Sequence, residues 1–409
     1  MEAVTAGPGR VRVFEALRHR DFRLLWSGQA VSLLGDMAFL TALGWKAFTL
    51  AGSSRLGIVL LGLAAGELAT LLVGGALADR YERRRMMIVS DVSRFVVVGA
   101  LAGVDASGHL TFPILVVLAI LVGLGDGFFY PAVGGIVPLV VEQPALPSAN
   151  SLMGVARWGS VMVGPSLAAF VYRGGGASVV FAFDALTFLV SAALIYRARP
   201  RPIQASSGEG TLREIREAAR YVARIPWLWV TISLFGVVIT LQYAPQQILL
   251  PKLVHEHFDR GVGAYGLLTT SLGVGTVLGT LAFGQLQPRR KRGVIAYVVW
   301  LVNSFAIAGL ALSPWFGLAS ALAVVRGACL AFGIAIWETM LQELVPEHLL
   351  SRVISLDFFG SFGLMPIGLA IWAGIAGLAA PGTMIATGAF VSCALVGLTL
   401  TRRWLWEVD

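Results

Sequence analysis

Apolar stretches of twenty or more residues recur along the whole chain, separated by short polar or basic connections. A helix rises 1.5 Å per residue, so about 20 apolar residues are needed to cross the ~30 Å hydrocarbon core of a bilayer. The pattern predicts spans over 24–50, 56–78, 86–105, 112–140, 149–172, 177–197, 227–250, 263–286, 293–312, 315–340, 353–378 and 382–401. That is an all-α membrane protein of twelve transmembrane helices. The one long connection, 198–226, opens Pro200, Arg201, Pro202 and passes a Ser/Gly stretch. It then places Leu212, Ile215, Ala219 and Val222 at helical spacing among basic residues. This reads either as an amphipathic helix on an anionic leaflet or as a solvated linker. It divides the chain into a six-helix half over 1–197, a cytoplasmic linker over 198–226 and a second six-helix half over 227–409. The halves echo one another: Gly75 to Arg85 follows the second span as Gly284 to Gly293 follows the eighth. A duplicated transporter gives such an offset, with a substrate site between pseudo-symmetric halves near the midplane.

Composition supports lipid as the solvent. The 409 residues are 57% hydrophobic and only 13% charged, against roughly 25% charged in soluble domains, and the mean hydropathy is +0.79. The net charge of +8 can suggest nucleic acid, but the position of the charges argues otherwise. Threading the spans alternately puts most of the 31 Lys and Arg residues on one face. These include Arg10 to Arg23, Arg80 to Arg85, Arg197 to Arg224 and Arg289 to Arg292. The opposite face receives only Arg55, Arg173, Lys252 and Arg260. Positive residues stay inside, so both termini are expected in the cytoplasm of a multi-pass inner-membrane protein, with no nucleic-acid partner. The charged start runs into an apolar stretch too long for a signal peptide, so no cleavable leader is expected. Cys329 and Cys393 lie within spans and read as small hydrophobes, and His255 and His257 lie in an outer loop, so no metal site is expected. The chain carries no P-loop, nucleophile elbow or HExxH pattern; neither an enzyme nor a cofactor is expected.

The sharpest local pattern is "GGALADRYERRR", Gly74 to Arg85. The glycines permit close helix approach, Asp79 can accept from a helix N-terminus, and the arginines can pair with acids on adjacent helix ends. The stretch resembles motif A of the major facilitator superfamily, matched by Gly75, Leu77, Asp79, Arg80, Arg83 and Arg84, with Glu82 in place of a glycine. Together with "FRLLWSGQAVSLLGD", "SDVSR", "FYPAVGGIVP", "FDALTFLVSA" and "SLDFFGSFGLMPIGLA", it is similar to the macrolide-efflux and enterobactin-exporter branch. The resemblance covers nearly the whole chain. It implies alternating access about a central cavity, a cytoplasmic gate at the motif A residues and a monomer.

In span five, "SVMVGPSLAA" is similar to motif C of the drug–proton antiporters, which goes with export. Ser160, Gly164, Pro165, Ala168 and Ala169 occupy its positions, with Ser160, Ala168 and Ala169 where glycines are usual. Small residues three or four apart also make an ordinary packing face, and Pro165 is expected to bend the helix.

Ionisable residues inside a membrane are costly and mark function by default. Asp36, Glu67, Asp126 and Arg326 fall near the midplane, Asp184 in the outer third and Glu338 near the cytoplasmic end. A carboxyl in low dielectric holds its proton more tightly than in water, so Asp36, Glu67 and Asp126 are the proton-coupling candidates. Asp36 and Asp126 can equally be structural partners of an arginine, and Glu67 departs from the family pattern and can tune substrate choice. Asp91 and Arg94, one turn apart beside the motif A loop, are assigned to the cytoplasmic gate. Arg326 is expected to pair with an acid or face the cavity. Gln242, Tyr243 and Gln246 cluster around Pro245, and Trp300 and Asn303 add an aromatic and an amide. These suit an amphipathic ligand or, alternatively, interhelical hydrogen bonds. The expectation is a proton-coupled multidrug-type antiporter, exporting a drug, antibiotic or siderophore-like molecule. The rivals are a lipid or lysophospholipid transporter and a non-transporting membrane sensor.

Overall fold

The computed structural model describes residues 14–78, 82–201, 211–286, 288–406 and 408, and among them every regular element is helical. After a short 3-10 turn, Glu15–Arg18, come α1 (Arg20–Ala78), α2 (Arg83–Ala106), α3 (Phe112–Val140), α4 (Leu146–Arg197), α5 (Thr211–Arg224) and α6 (Pro226–Lys252). Then follow α7 (Val262–Leu286), α8 (Arg292–Ala311), α9 (Phe316–Leu344), α10 (Glu347–Phe362), α11 (Met365–Ile375), α12 (Pro381–Leu400) and a last turn α13 (Arg403–Trp406).

Two of these helices are too long for one crossing. The 59 residues of α1 would reach ~90 Å if straight. Instead α1 breaks at Gly52 (φ 80°, ψ 173°) and α4 at Gly176 (φ 76°, ψ −172°), backbone conformations essentially reserved for glycine. Among the described residues, ten helical segments are long and apolar enough to cross a membrane. With α1 and α4 each supplying two limbs they make twelve spans. Pro165 sits inside α4 without interrupting it, and the break at Gly176 falls in the connection expected between the fifth and sixth spans, between 172 and 177. The eleventh span, expected to be continuous over 353–378, is divided at Gly363 and Leu364 into α10 and α11. Pro366 falls in the first turn of α11, where its missing N–H costs nothing.

The halves repeat one another at the level of single atoms. Gly66 of α1 lies against Ile120 O and Leu124 N of α3, as Gly275 of α7 lies against Val324 O and Ala328 N of α9. Gly123 meets Leu63 O as Gly327 meets Leu272 O. The equivalent positions are 209 residues apart on one helix (66 and 275, 63 and 272) and 204 on the other (120 and 324, 123 and 327). Two helices can approach this closely only where the side chain is absent.

Contacts between the halves gather at the end away from the termini. Trp45 stacks on Tyr265 with centroids 5.9 Å apart, and His255 meets the edges of Trp45 and Phe48. Ser166 of α4 and Thr270 of α7 share a hydrogen bond of 2.6 Å. One apolar cluster, including Phe39, Val59, Phe181, Leu249, Ile307 and Trp372, joins both halves there. Toward the terminal face the core separates. Phe22, Met87, Ile136 and Leu152 form a cluster within the first half, and Tyr297, Met340, Trp337 and Val353 belong to clusters within the second. The cleft between the halves therefore opens on the face that carries the termini.

The linker helix α5 packs on protein. Ala218, Tyr221 and Val222 sit against Leu228, Leu349 and Val353 of α6 and α10, and the Tyr221 hydroxyl donates to Leu344 O. Ala219 is exposed, so the apolar face is rotated from the one expected; the side chains of Leu212 and Ile215 lie outside the described residues.

A prediction follows from the α4–α7 contact. A Cβ at Gly273 would lie 2.7 Å from Val161 O, and one at Gly266 would lie 2.7 Å from Pro165 O. Overpacking of this kind costs about 1–3 kcal/mol, and only in the state where this end is closed. Gly273→Leu is expected to widen the separation of spin labels at Arg173 and Gly261, read by pulsed electron resonance; an unchanged distance distribution contradicts the closure described.

Candidate functional site

The first half concentrates acids around one cation. Arg94 crosses α3 at Gly125, where a Cβ would come within 2.7 Å of its Cγ. Its guanidinium meets Asp91 at 2.5 Å, Asp126 at 3.0 Å and Asp36 at 4.0 Å. The rings of Phe129 and Phe188 lie 4.1 and 4.2 Å from it, contacts that favour a desolvated cation. Asp184 lies within the electrostatic reach of Arg94, Asp36 and Asp126. Thr187 stands 3.3 Å from its Oδ1, and its Oδ2 has no hydrogen-bond partner. Asp91 and Asp184 are wholly buried, whereas the side chains of Asp36 and Asp126 keep 24% and 19% exposure. Glu67, brought to α3 by the Gly123 and Gly127 contacts, interacts electrostatically with Asp126 and, across the cleft, with Tyr243.

This arrangement corrects the assignment of Asp91 and Arg94 to the cytoplasmic gate. Nothing interrupts α2 between Arg83 and Ala106, so Arg94 stands eleven residues, ~16 Å, beyond the helix start, level with Asp126. Asp184 was missed as a member; the rule that intramembrane acids are functional could have included it. The Lys46–Asp105 pair, 2.6 Å apart near the opposite end, also went unforeseen.

At the terminal face, Arg83 donates to Gly135 O of α3. Arg84 donates to Ile195 O at 3.2 Å and to Tyr196 O. Exposed main-chain carbonyls in the last turn of a helix, as in α4, attract cations. Both arginines thus dock within their own half, not on acids of the other. Gly75 is helical within α1, its surroundings are not described, and Asp79 and Arg80 lie outside the described residues.

The motif C-like residues make helix contacts. Gly164 lies against Met37 and Leu34 of α1, and Pro165 and Ala169 face Gly266 of α7. Ala168 is buried, and Ser160 donates back to Ala156 O at 2.7 Å.

In the second half most of the expected cavity residues bind one another. Gln242 donates to Ser304 Oγ at 2.7 Å, Asn303 donates to Gln242 Oε1 at 3.1 Å, and Gln246 donates to Gln242 O at 2.6 Å. Trp300 packs edge-on against Phe235 at 4.7 Å. All four are buried, and the amide hydrogen bonds tie helices together instead of lining the cleft, although Asn303 Oδ1 and Trp300 Nε1 have no hydrogen-bond partner. Tyr243, one residue along and rotated ~100° from Gln242, is 43% exposed. Its electrostatic partners are Arg326, Glu67 and Tyr265, drawn from both halves, and it is hydrogen-bonded to Gln247. A line of polar groups therefore crosses the cleft: Asp126, Glu67, Tyr243, Arg326. A separate pocket of about 480 Å³, walled by Arg289, Arg292, Thr339 and Glu343, lies at the terminal ends of α7 to α9, away from this line.

Residues 25–369 match the sequence profile of the Major Facilitator Superfamily. The chain is 29% identical over 340 residues to the enterobactin exporter EntS of Salmonella paratyphi A, covering 81% of this chain and 79% of that protein. It is 23% identical over 360 residues to macrolide efflux protein A of Streptococcus pyogenes, with 86% and 88% covered. Its fold is similar to the crystal structure of a D-xylose–proton symporter, with a TM-score of 0.71 at 14% identity over 95% of this chain and 97% of that one. With twelve helices in two pseudo-symmetric halves and the polar line between them, the chain belongs to the major facilitator superfamily and is a multi-pass membrane transporter.

Proposed function

We propose that the chain is a proton-coupled secondary exporter of amphipathic small molecules, working by alternating access as a monomer in a bacterial inner membrane. The observation that carries this reading is the buried group of four aspartates held around Arg94, two of them with an edge exposed. One guanidinium balances one carboxylate; the surplus negative charge in a low-dielectric interior calls for protons. Such a group can take up a proton on one face and release it on the other as the halves rock. Asp126 and Glu67 are the groups best placed to link that proton to a cargo in the cleft, with Asp36 in direct support.

Basic connections and both termini fall on the open face, so the positive-inside rule makes this the cytoplasmic face. The state described is then the loading state of an exporter. The relatives' names, an enterobactin exporter and a macrolide efflux protein, support outward transport. Arg83 and Arg84, with Asp79 and Arg80, are assigned to the gate that closes this face in the alternate state.

Inside-out vesicles with an imposed proton gradient, acid inside, test the reading on a panel of amphipathic dyes and antibiotics. Gradient-dependent accumulation inside the vesicles is expected. Accumulation that survives collapse of the gradient would remove proton coupling, and its absence across the panel would remove this substrate class.

A further inference from the structure

Arg326 is an intramembrane cation that the acid cluster does not use. Its side chain is nine-tenths buried in α9, and its Nε has no hydrogen-bond partner. Among the described residues no carboxylate lies within ion-pair distance of it. Packing alone does not call for a cation there. By the 204-residue equivalence of α3 and α9, the matching position of the first half is Val122, buried in the apolar core. A buried guanidinium without a counter-charge is expensive, and positions of this kind in membrane proteins mark ligand pathways. Its described electrostatic partner is the Tyr243 phenol, which is exposed to the cleft. Tyr243 also lies within the electrostatic reach of Glu67 of the first half.

We propose that Arg326, with the Tyr243 hydroxyl as a second donor, receives an acidic oxygen group of the transported molecule, a carboxylate or phenolate. The exporter's cargo is then an amphipathic anion and not the lipophilic cation that a cleft lined with acids would suggest. The proposal rests on the export reading and assigns its substrate class. The guanidinium presents N–H donors and no acceptor, and the phenol adds an O–H donor beside it. The acids of the first half, opposite, repel the same group. An anion is therefore oriented with its charge toward α9 and its apolar body toward the cleft.

The test is equilibrium binding of dansyl-leucine and its neutral amide to the full chain in nanodiscs, followed by dansyl fluorescence. The wild type is expected to bind the acid about ten-fold more tightly than the amide, the range set by one charge-assisted hydrogen bond. In Arg326→Gln the two are expected to bind within about two-fold, and Arg326→Lys to recover most of the preference. Equal affinity in the wild type, a preference for the amide, or a preference that survives in Arg326→Gln overturns the proposal. A parallel loss of both ligands in Arg326→Gln and in Glu67→Gln would make Arg326 a partner of Glu67 only, and overturns it as well. The assay needs neither a gradient nor transport. An acid preference without gradient-driven accumulation in vesicles would therefore sink the export reading alone.

Discussion

Replacing Arg94 with Met is expected to be the most damaging single change to the first half. The guanidinium is 2% exposed and sits between Asp91, which has no exposure, and Asp126. Removing it leaves four aspartates facing one another with no cation, and breaking a buried ion pair by deleting one partner costs about 3–5 kcal/mol. Methionine keeps most of the apolar contact with Phe129 and Phe188, so the loss reports charge more than volume. Unfolding of the purified chain in detergent is expected to shift by that amount. Arg94→Met with Asp91→Asn is expected to recover part of it, because the two groups touch and their effects do not add. A single variant as stable as the wild type would show that the cluster is not held by charge.

The second large effect separates folding from coupling. Asparagine at position 126 can still accept the hydrogen bond from Arg94, so Asp126→Asn is expected to fold and insert normally. It can no longer gain or lose a proton. Gradient-driven accumulation in inside-out vesicles is expected to fall about ten-fold or more, a typical size for a coupling free energy between two sites. Counterflow, in which labelled substrate exchanges against unlabelled substrate with no gradient, is expected to persist. If both activities vanish together, Asp126 is a structural or substrate-binding residue, and Glu67 becomes the coupling candidate to test by Glu67→Gln.

Much of the architecture can be read from the sequence, because a bilayer imposes one length and one solvent on every span. The paired limbs of α1 and α4 are visible as two apolar stretches each, separated at Gly52 and Gly176. The repeat is visible in the spacing of Gly75 and Gly284. What the pattern does not carry is azimuth. In a helix that is apolar all round, period gives no inward face, so Gln242 and Tyr243 look alike although one is locked to Asn303 and the other meets the cleft. The same loss of direction sent Arg94 to the loop at its helix start, when its partners Asp36, Asp126 and Asp184 come from three other spans. Arg326 stands out by cost alone; that no carboxylate among the described residues pairs with it could be known only from the packing of α9 against its neighbours.

In the proposed coupling, protons bound in the first half drive a cargo bound between the halves. This coupling is tested most directly by recording internal pH in proteoliposomes while an anionic dansyl substrate is moved down its own gradient. Proton movement opposite to the substrate, present in the wild type and absent in Asp126→Asn while the substrate still exchanges, is the predicted result. Substrate flux with no accompanying proton movement in the wild type would show that the cargo moves without protons.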